Sequence, residues 1–235
     1  MMDNNIFSNY ETVIENTHKT LSVRVYDMIL NLIIEGELKV DERINSDMIA
    51  KSFGVSRTPV REALKSLEKT GLVQFKSYSG AYVRKLTIAE IEEIYSIRMQ
   101  LEAFAIKKAV DSVSDSDIKK LQKIQDEIEF MISRNPIDVK KIYDLNERFH
   151  MELYMISEMP KLCEIIENLW INLSLYRFLL ASNQNYSSEI KSEHQEYIRC
   201  LVERDKDKII EMVVKNLENH LQRVPKLVNE YYQSI

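Results

Sequence analysis

The chain has 235 residues, of which 45% are apolar and 29% are charged, and its net charge at pH 7 is −5. This apolar fraction is enough for packed cores, and the length predicts two modest domains. No stretch reaches about 18 uninterrupted apolar residues, so no membrane span is expected. The first residues, Met-Met-Asp-Asn-Asn, lack the basic and apolar regions of a signal peptide, so no secretory signal is expected either. Cys163 and Cys200 lack metal-ligand spacing, which predicts two buried, reduced cysteines in a cytoplasmic protein.

The first elements are a polar segment and two helices. Residues 1–20 are expected to form a flexible N-terminal segment. Apolar residues then recur at helical spacing and predict a helix that ends at Gly36. A second, short helix through Ser52 is predicted to begin after a cap at Asn45 or Ser46.

The third predicted helix has the features of a helix that enters the major groove of DNA. Gly54 allows a tight turn, Ser56 is a good N-cap, and the helix runs to about Lys69. Its apolar side chains lie on one face and its polar side chains on another, although an ordinary amphipathic surface helix has the same pattern. Five polar residues at its start are predicted to contact DNA: Ser56, Arg57, Thr58, Arg61 and Lys65.

Two predicted strands, at residues 72–75 and 81–84, follow this helix and form a hairpin with a polar tip. The hairpin completes a winged helix-turn-helix. Gly80 at its tip is predicted to approach DNA through its backbone. Residues 51–85 contain eight Lys or Arg and two Glu, a net charge of +6 within an acidic chain. Positive charge is therefore concentrated where phosphates would lie.

Residues 21–86 resemble the DNA-binding domain of the GntR family of bacterial transcription regulators. From Gly54 to Leu64 the sequence Gly-Val-Ser-Arg-Thr-Pro-Val-Arg-Glu-Ala-Leu matches the family signature at every position. Val40 and Asp41 stand where the family usually has Pro-Gly, but Asp tolerates turn conformations, so the loop should persist. The resemblance implies a homodimer whose two winged domains read an inverted-repeat operator in double-stranded DNA.

The second half of the chain has a different pattern, without any glycine beyond residue 80. Thr87 and Ser114 are expected to cap the first two of its helices, and Pro225 to bend the last. Short connections predict an all-α antiparallel bundle at residues 87–235, so the whole fold is mainly α. Six helices are predicted, at about 88–110, 115–133, 137–157, 161–182, 187–203 and 206–231.

This bundle resembles the FCD domain, the effector-binding half of the FadR subgroup of GntR regulators. Arg98 to Glu102 resembles the Arg-x-x-Leu-Glu helix of that domain, and Asn146 to His150 resembles its Asp-x-x-Phe-His run. Glu193-His194 with a later Asp resembles its third motif. The resemblance implies dimerisation and a small-molecule effector of the organic or sugar acid class. It also implies that the effector shifts the two DNA-binding domains and that repression is relieved by ligand.

Many FCD domains hold a divalent ion with one carboxylate and three histidines, and this chain departs from that set. His150 and His194 match two positions, whereas the amides Asn146 and Asn216 stand at the others. His220 is one turn, about 6 Å, beyond Asn216 and is not expected to replace it. Amides should weaken Zn²⁺ or Ni²⁺ binding, so at most a weak ion is predicted at Asn146, His150 and His194. Alternatively, all four side chains bind the organic effector directly.

Arg98 is predicted to recognise the effector. A cation that faces a core needs an anion, and a guanidinium pairs well with a carboxylate. The alternative is a structural ion pair with Glu102, four residues further along the helix. Trp170, Tyr176 and Arg177 either shape the same cavity or only pack around it.

The sequence is therefore interpreted as a ligand-responsive transcription regulator without enzymatic activity. One alternative is an architectural DNA-binding protein whose helical half only dimerises, which would have a bundle core without polar groups. The other is a metal-dependent enzyme built on the histidine-bearing helices. The enzyme hypothesis does not explain the first 86 residues. The sequence also shows no nucleophile or general base with supporting spacing.

Overall fold

The computed structural model describes residues 20–182 and 186–235. They form two compact units, one that ends at Leu86 and one that spans Thr87–Ile235. The predicted flexible segment lies outside the described residues apart from Thr20. No described helix is long and apolar enough to span a membrane.

The first unit contains three helices and a small sheet. Helix α1 packs against α3, and α2 also lies on α3. Asn45, one of the two predicted caps, begins α2, and its side chain accepts hydrogen bonds from two backbone amides at 3.1 Å each. The elements in chain order are α1 (Leu21–Ile34), β1 (Arg43–Ile44), α2 (Ser46–Ser52), α3 (Arg57–Lys69), β2 (Val73–Lys76) and β3 (Gly80–Val83).

The sheet has three antiparallel strands in the order β1-β3-β2. The β2–β3 hairpin is the predicted wing, whereas the two-residue strand β1 was not predicted. Asp41, which replaces the glycine usual in the family, has φ 60. Its amide donates to the carbonyl of Val83 at 3.0 Å, so the loop keeps its turn without Pro-Gly.

The turn between α2 and α3 depends on Gly54, which has φ 63 and lets the amide of Val55 bond back to Ala50 at 2.9 Å. Ser56 holds the N-cap position of α3 with an extended backbone, but its side chain makes no capping hydrogen bond. Such a bond goes to the second or third amide of the helix, and Pro59 at the third position has no N–H. The expected side-chain cap at Ser56 is therefore absent.

The second unit contains seven described helices rather than the six predicted. The predicted helix at 161–182 is broken at Leu173, where φ is −92 and ψ is 5. Asn172 and Ser174, both weak helix formers, flank the break. Capping boxes at Thr87 and Ser114 begin α4 and α5 as expected. The helices are α4 (Ile88–Ser112), α5 (Asp115–Ile132), α6 (Val139–Met155), α7 (Pro160–Asn172), α8 (Ser174–Ala181), α9 (Tyr186–Glu203) and α10 (Lys206–Ser234).

Helix α4 lies at the centre of this unit and packs against α10, α6 and α7, while α5 packs against α6 and α9. Helix α10 continues through Pro225 to Ser234. Tyr95 and Ala105 of α4 are fully buried in the core. Because α4 has partners on several sides, polar residues of its core-facing surface, including Arg98, are enclosed by the bundle.

Candidate functional site

A groove in the first unit is bordered by the start of α3, the start of α2 and the wing. Four of the six predicted DNA-contact residues line it: Arg57, Thr58, Arg61 and Gly80. Ser56 and Lys65 are exposed but lie outside this lining. The groove thus combines exposed cations with Gly80, which has φ 96 and no side chain to keep its backbone from a phosphate.

The two arginines of the groove differ in their present partners. Arg57 pairs with Asp47 at 2.7 Å, and both side chains are exposed. Such surface pairs contribute little free energy, so a phosphate can replace Asp47 as the partner. Arg61 forms no hydrogen bond or ion pair with any described residue. It is therefore available to a base edge or a phosphate without loss of an internal contact.

The structure adds Arg43 and Phe75, which were not predicted, to the lining of this groove. A methyl group built on Gly80 would lie 3.6 Å from Nε of Arg43, so the guanidinium lies beside the wing. Tyr78 at the tip of the wing is completely exposed. Arg43 escaped prediction because β1 is too short to produce an alternating pattern.

The second unit encloses a cavity among α4, α6, α7, α8, α9 and α10. Its volume is about 40 Å³, room for two or three waters, whereas ligand pockets usually measure about 300–1,000 Å³. Side chains must therefore move to admit a small molecule. Its polar wall includes Arg98, Glu102, Asn146, His150, Arg177 and Glu193.

Arg98 forms the ion pair that was the alternative to effector recognition. Its Nε lies 2.7 Å from Oε1 of Glu102, and both side chains are almost completely buried. Glu102 also accepts hydrogen bonds of 2.6 Å from Tyr154 and from the indole of Trp170. Nη1 of Arg98, however, is buried and has no hydrogen-bond partner. The ion pair therefore leaves one donor of the guanidinium unsatisfied.

Arg177 repeats this arrangement from α8. Its Nη1 donates to Glu147 at 3.0 Å and to the hydroxyl of Tyr143 at 3.3 Å, while Nη2 is buried without a partner. The guanidinium carbons of Arg177 and Arg98 lie 3.6 and 4.8 Å from the ring centroid of Trp170. Two incompletely paired cations thus meet at one indole. Tyr176 instead bonds Tyr232 at 2.8 Å and does not border the cavity.

The two candidate metal-binding histidines contact each other. The amide nitrogen of Gln125 donates to Glu129 and to the carbonyl of Lys191, which directs its oxygen toward Nδ1 of His194 at 3.1 Å. His194 therefore carries its proton on Nδ1, and its Nε2 accepts from Nε2 of His150 at 3.3 Å. His194 also stacks on a phenylalanine ring and lies behind His150, outside the cavity lining.

The predicted metal ligands fit only part of the ion site that the family resemblance implies. Asn146 and Asn216 border the cavity, but their amide nitrogens donate to Tyr186 at 3.3 Å and to Tyr197 at 2.7 Å. Asn216 also donates to Glu193. The described residues include no group of three or more His, Cys, Asp or Glu able to hold a metal ion.

Burial changes the acid–base properties of the cavity wall. It lowers the pKa of His150 well below its usual value, with smaller effects of His194 and the two arginines. It also lowers the pKa of His220 to about 3. Burial raises the pKa of Glu193 to about 7, against the opposing effect of its hydrogen bond from Tyr197. Both histidines are therefore neutral at pH 7.

Sequence reasoning missed several residues of this wall. Glu193, Tyr186 and Tyr197 line it from α9, and His220 lines it from α10. Tyr186, Ile190, Glu193 and Tyr197 recur at spacings of three and four residues, the signal of a shared helix face. That face was overlooked because His194, one residue from Glu193, carried the recognised motif.

Comparison with known proteins identifies both units. Residues 21–83 match the family described as bacterial regulatory proteins, gntR family, and residues 93–223 match the FCD domain. The HTH-type transcriptional regulator YdhC of Bacillus subtilis is 29% identical, covering 88% of this chain and 92% of its own. The regulator McbR of Escherichia coli is 30% identical over 66% of this chain and 70% of its own.

A further relative and a solved structure agree with this result. The gluconate operon transcriptional repressor of Bacillus subtilis is 28% identical, covering 87% of this chain and 85% of its own. The solved structure of McbR from E. coli superposes with a TM-score of 0.73, at 25% identity, and covers 91% of this chain and 99% of that one. These relatives are transcription regulators and not enzymes. The chain belongs to the GntR family of bacterial transcription regulators and carries the FCD domain.

Proposed function

We propose that the protein is a cytoplasmic homodimer that binds a short inverted-repeat operator and represses transcription until an effector binds. The groove that contains Arg57, Thr58, Arg61 and Gly80 supports the DNA-binding half of this proposal. One winged domain buries too little surface for tight specific binding, so two copies are needed. Two copies related by a twofold axis would read two half-sites of opposite orientation.

Selection from a random duplex library with the full-length protein tests this proposal. An enriched inverted repeat, bound with a clear preference over unrelated duplex at the same salt concentration, is the expected result. Light scattering of the free protein should show a dimer at micromolar concentration. A monomer that binds the selected duplex equally well, or binding without any sequence preference, would contradict the proposal.

The cavity of the second unit is proposed to bind a small organic acid as the effector. The support is the pair of buried, unpartnered guanidinium nitrogens, Nη1 of Arg98 and Nη2 of Arg177. A buried donor without a partner costs free energy, which a carboxylate would recover. Because the cavity must expand to admit the acid, binding would favour a different conformation of the bundle and change operator affinity.

An architectural protein whose helical half only dimerises remains the second candidate. Such a domain would have no use for Arg98 and Arg177 beside an internal cavity. Addition of an organic acid should release the selected operator from the full-length protein. Unchanged operator affinity across a broad set of acids would favour the architectural candidate.

A further inference from the structure

We propose that the cavity takes a small zwitterion, with a carboxylate and an ammonium group on a short apolar skeleton, as in an amino acid. This inference rests on the proposed role of the cavity as an effector site, and it narrows the class of ligand. It follows from how charges and unsatisfied groups are distributed along the wall.

The carboxylate end would be bound by the two arginines. Nη1 of Arg98 and Nη2 of Arg177 are both buried and unpartnered, and both guanidinium groups lie within 5 Å of the centre of the Trp170 ring. Nε of Arg98 is engaged by Glu102, and Nη1 of Arg177 is engaged by Glu147. A carboxylate between the two guanidinium groups would accept from both free donors and leave the existing ion pairs intact.

Charge balance argues against a simple acid. Each arginine already has its own carboxylate partner, Glu102 for Arg98 and Glu147 for Arg177. Glu193 adds a further acidic side chain to the wall and has no ion-pair partner among the described residues. A plain carboxylate would enter this wall as an uncompensated negative charge. A zwitterion adds no net charge, and its ammonium group would stabilise the ionised form of Glu193, which has no cation partner of its own in the described part of the chain.

Glu193 also has an oxygen available for that ammonium group. Its Oε1 accepts hydrogen bonds from Asn216 and from the hydroxyl of Tyr197, the latter at 3.4 Å. Its Oε2 receives no hydrogen bond from a described residue. Asn216, which stands where the family usually has a histidine, thus orients Glu193. Asn216 would therefore have a function in ligand binding rather than the metal-ligand function of the histidine usual at this position.

The position of Glu193 fixes the orientation of the ligand. A surface cleft between α9 and α10 shares Glu189, Glu193, Asn216 and His220 with the cavity, but neither Arg98 nor Arg177 lines it. The arginine that lines the cleft, Arg223, is paired with Glu189 at 2.7 Å rather than with Glu193. The ammonium group would therefore lie toward the cleft and the carboxylate toward Trp170. The apolar skeleton would contact the apolar part of the wall, formed by Leu180, Ile190, Val213 and Leu217.

The test is a thermal-shift and calorimetric screen of the full-length protein with matched compounds. The probes are the standard amino acids and 4-aminobutanoate, each compared with the acid that lacks its amine and the amine that lacks its carboxylate. For leucine these partners are 4-methylpentanoate and 3-methylbutylamine. We expect at least one zwitterion to bind about tenfold or more tightly than both of its partners.

Two results of the screen would overturn the inference in different ways. An acid that binds as tightly as its zwitterion would reject the zwitterion and leave the acid-effector function intact. If no compound that bears a carboxylate binds, both the zwitterion inference and the acid-effector function are rejected.

Variants locate the ammonium group. Glu193→Gln should weaken the zwitterion about tenfold and leave the matched acid unchanged. Glu203→Gln, the same change at an exposed position of the same helix, is the control and should alter neither affinity. Glu193→Asp keeps the charge and should retain the preference, and melting of each unliganded variant checks its fold. Equal affinity of Glu193→Gln and wild type for the zwitterion would overturn the role of Glu193.

Discussion

The Nε2 atoms of His150 and His194 lie 3.3 Å apart, with His194 oriented by Gln125. Two nitrogens on one tetrahedral Zn²⁺ ion lie at about the same separation, roughly 3.3 Å for bonds of 2.0–2.1 Å. The two Nε2 atoms can thus both coordinate one ion, but only if His150 loses its Nε2 proton. The hydrogen bond between the rings and a shared ion exclude each other.

We therefore predict that the protein purified without added metal carries far less than one equivalent of Zn²⁺ or Ni²⁺. Only amides, Asn146 and Asn216, stand at the other two family positions. The double variant Asn146→Asp with Asn216→His should gain tight ion binding, because it restores the carboxylate and the third imidazole. Elemental analysis of both proteins gives the measurement. One tightly held ion per wild-type chain would show the weak-binding prediction to be wrong.

Arg61→Ala is predicted to weaken specific operator binding by about 1–3 kcal/mol, the usual value of a base contact. The side chain is exposed on α3 and makes no contact that holds the domain together, so the melting temperature should not change. Titration of the selected operator with wild type and variant measures the effect. Lys119→Ala, which removes an exposed cation from the other unit, is the control. Unchanged affinity of Arg61→Ala would remove Arg61 from the interface.

Arg43→Ala is predicted to weaken binding to all duplex sequences by a similar factor. The guanidinium lies beside Gly80 of the wing, where a phosphate contact is expected rather than base readout. Loss of one phosphate contact should reduce the slope of log affinity against log salt by about one. Titrations at several salt concentrations, with selected and unrelated duplexes, give this slope. A loss confined to the selected operator would assign Arg43 to base recognition instead.

The lowered pKa of His220 predicts that the stability of the folded protein depends on pH. Its pKa is lowered to about 3 by burial and then by the charges of Arg98, Arg223 and Arg177. Above about pH 7.5 the imidazole is neutral in both the folded and the unfolded chain, so its titration does not change the free energy of unfolding there. As pH falls from there toward 3, the unfolded chain takes up a proton that the folded chain refuses, and stability is lost.

His220→Gln should therefore reduce the acid sensitivity of the helical unit. Between about pH 7.5 and about pH 5.5, its melting temperature should fall by about 4 °C less than that of the wild type. Calorimetry of the variant and the wild type at both pH values gives the melting temperatures. Their difference at the higher pH, where the imidazole is neutral, measures the effect of the substitution on packing alone. If the melting temperatures of variant and wild type fall in parallel with pH, a residue other than His220 takes up the proton.

Local chemistry explains how much of the fold the sequence could predict. The turn at Gly54 and the caps at Thr87 and Ser114 depend on neighbouring residues alone, and all three were recognised. Strand β1 depends on pairing with β3, which lies about 40 residues away and leaves no local signal. The break at Leu173 interrupts apolar periodicity too briefly to be detected.

The cavity was only partly predictable for a similar reason. The effector role of Arg98 was predicted from its core-facing position, and the alternative ion pair from Glu102 four residues further along the helix; that ion pair is present. The unsatisfied nitrogens of Arg98 and Arg177 result from packing of separate helices, so no pattern within one helix could show them. Glu193 likewise required knowledge of which face of α9 meets α10.

Trp170 is the only tryptophan in the chain, and its ring contacts the guanidinium groups of Arg98 and Arg177 while its indole nitrogen bonds Glu102. Its fluorescence therefore originates at the cavity wall alone. Movement of either cation would change the local field at the indole and shift its emission. The protein thus contains a built-in optical reporter that can follow occupancy of the cavity in real time without any label.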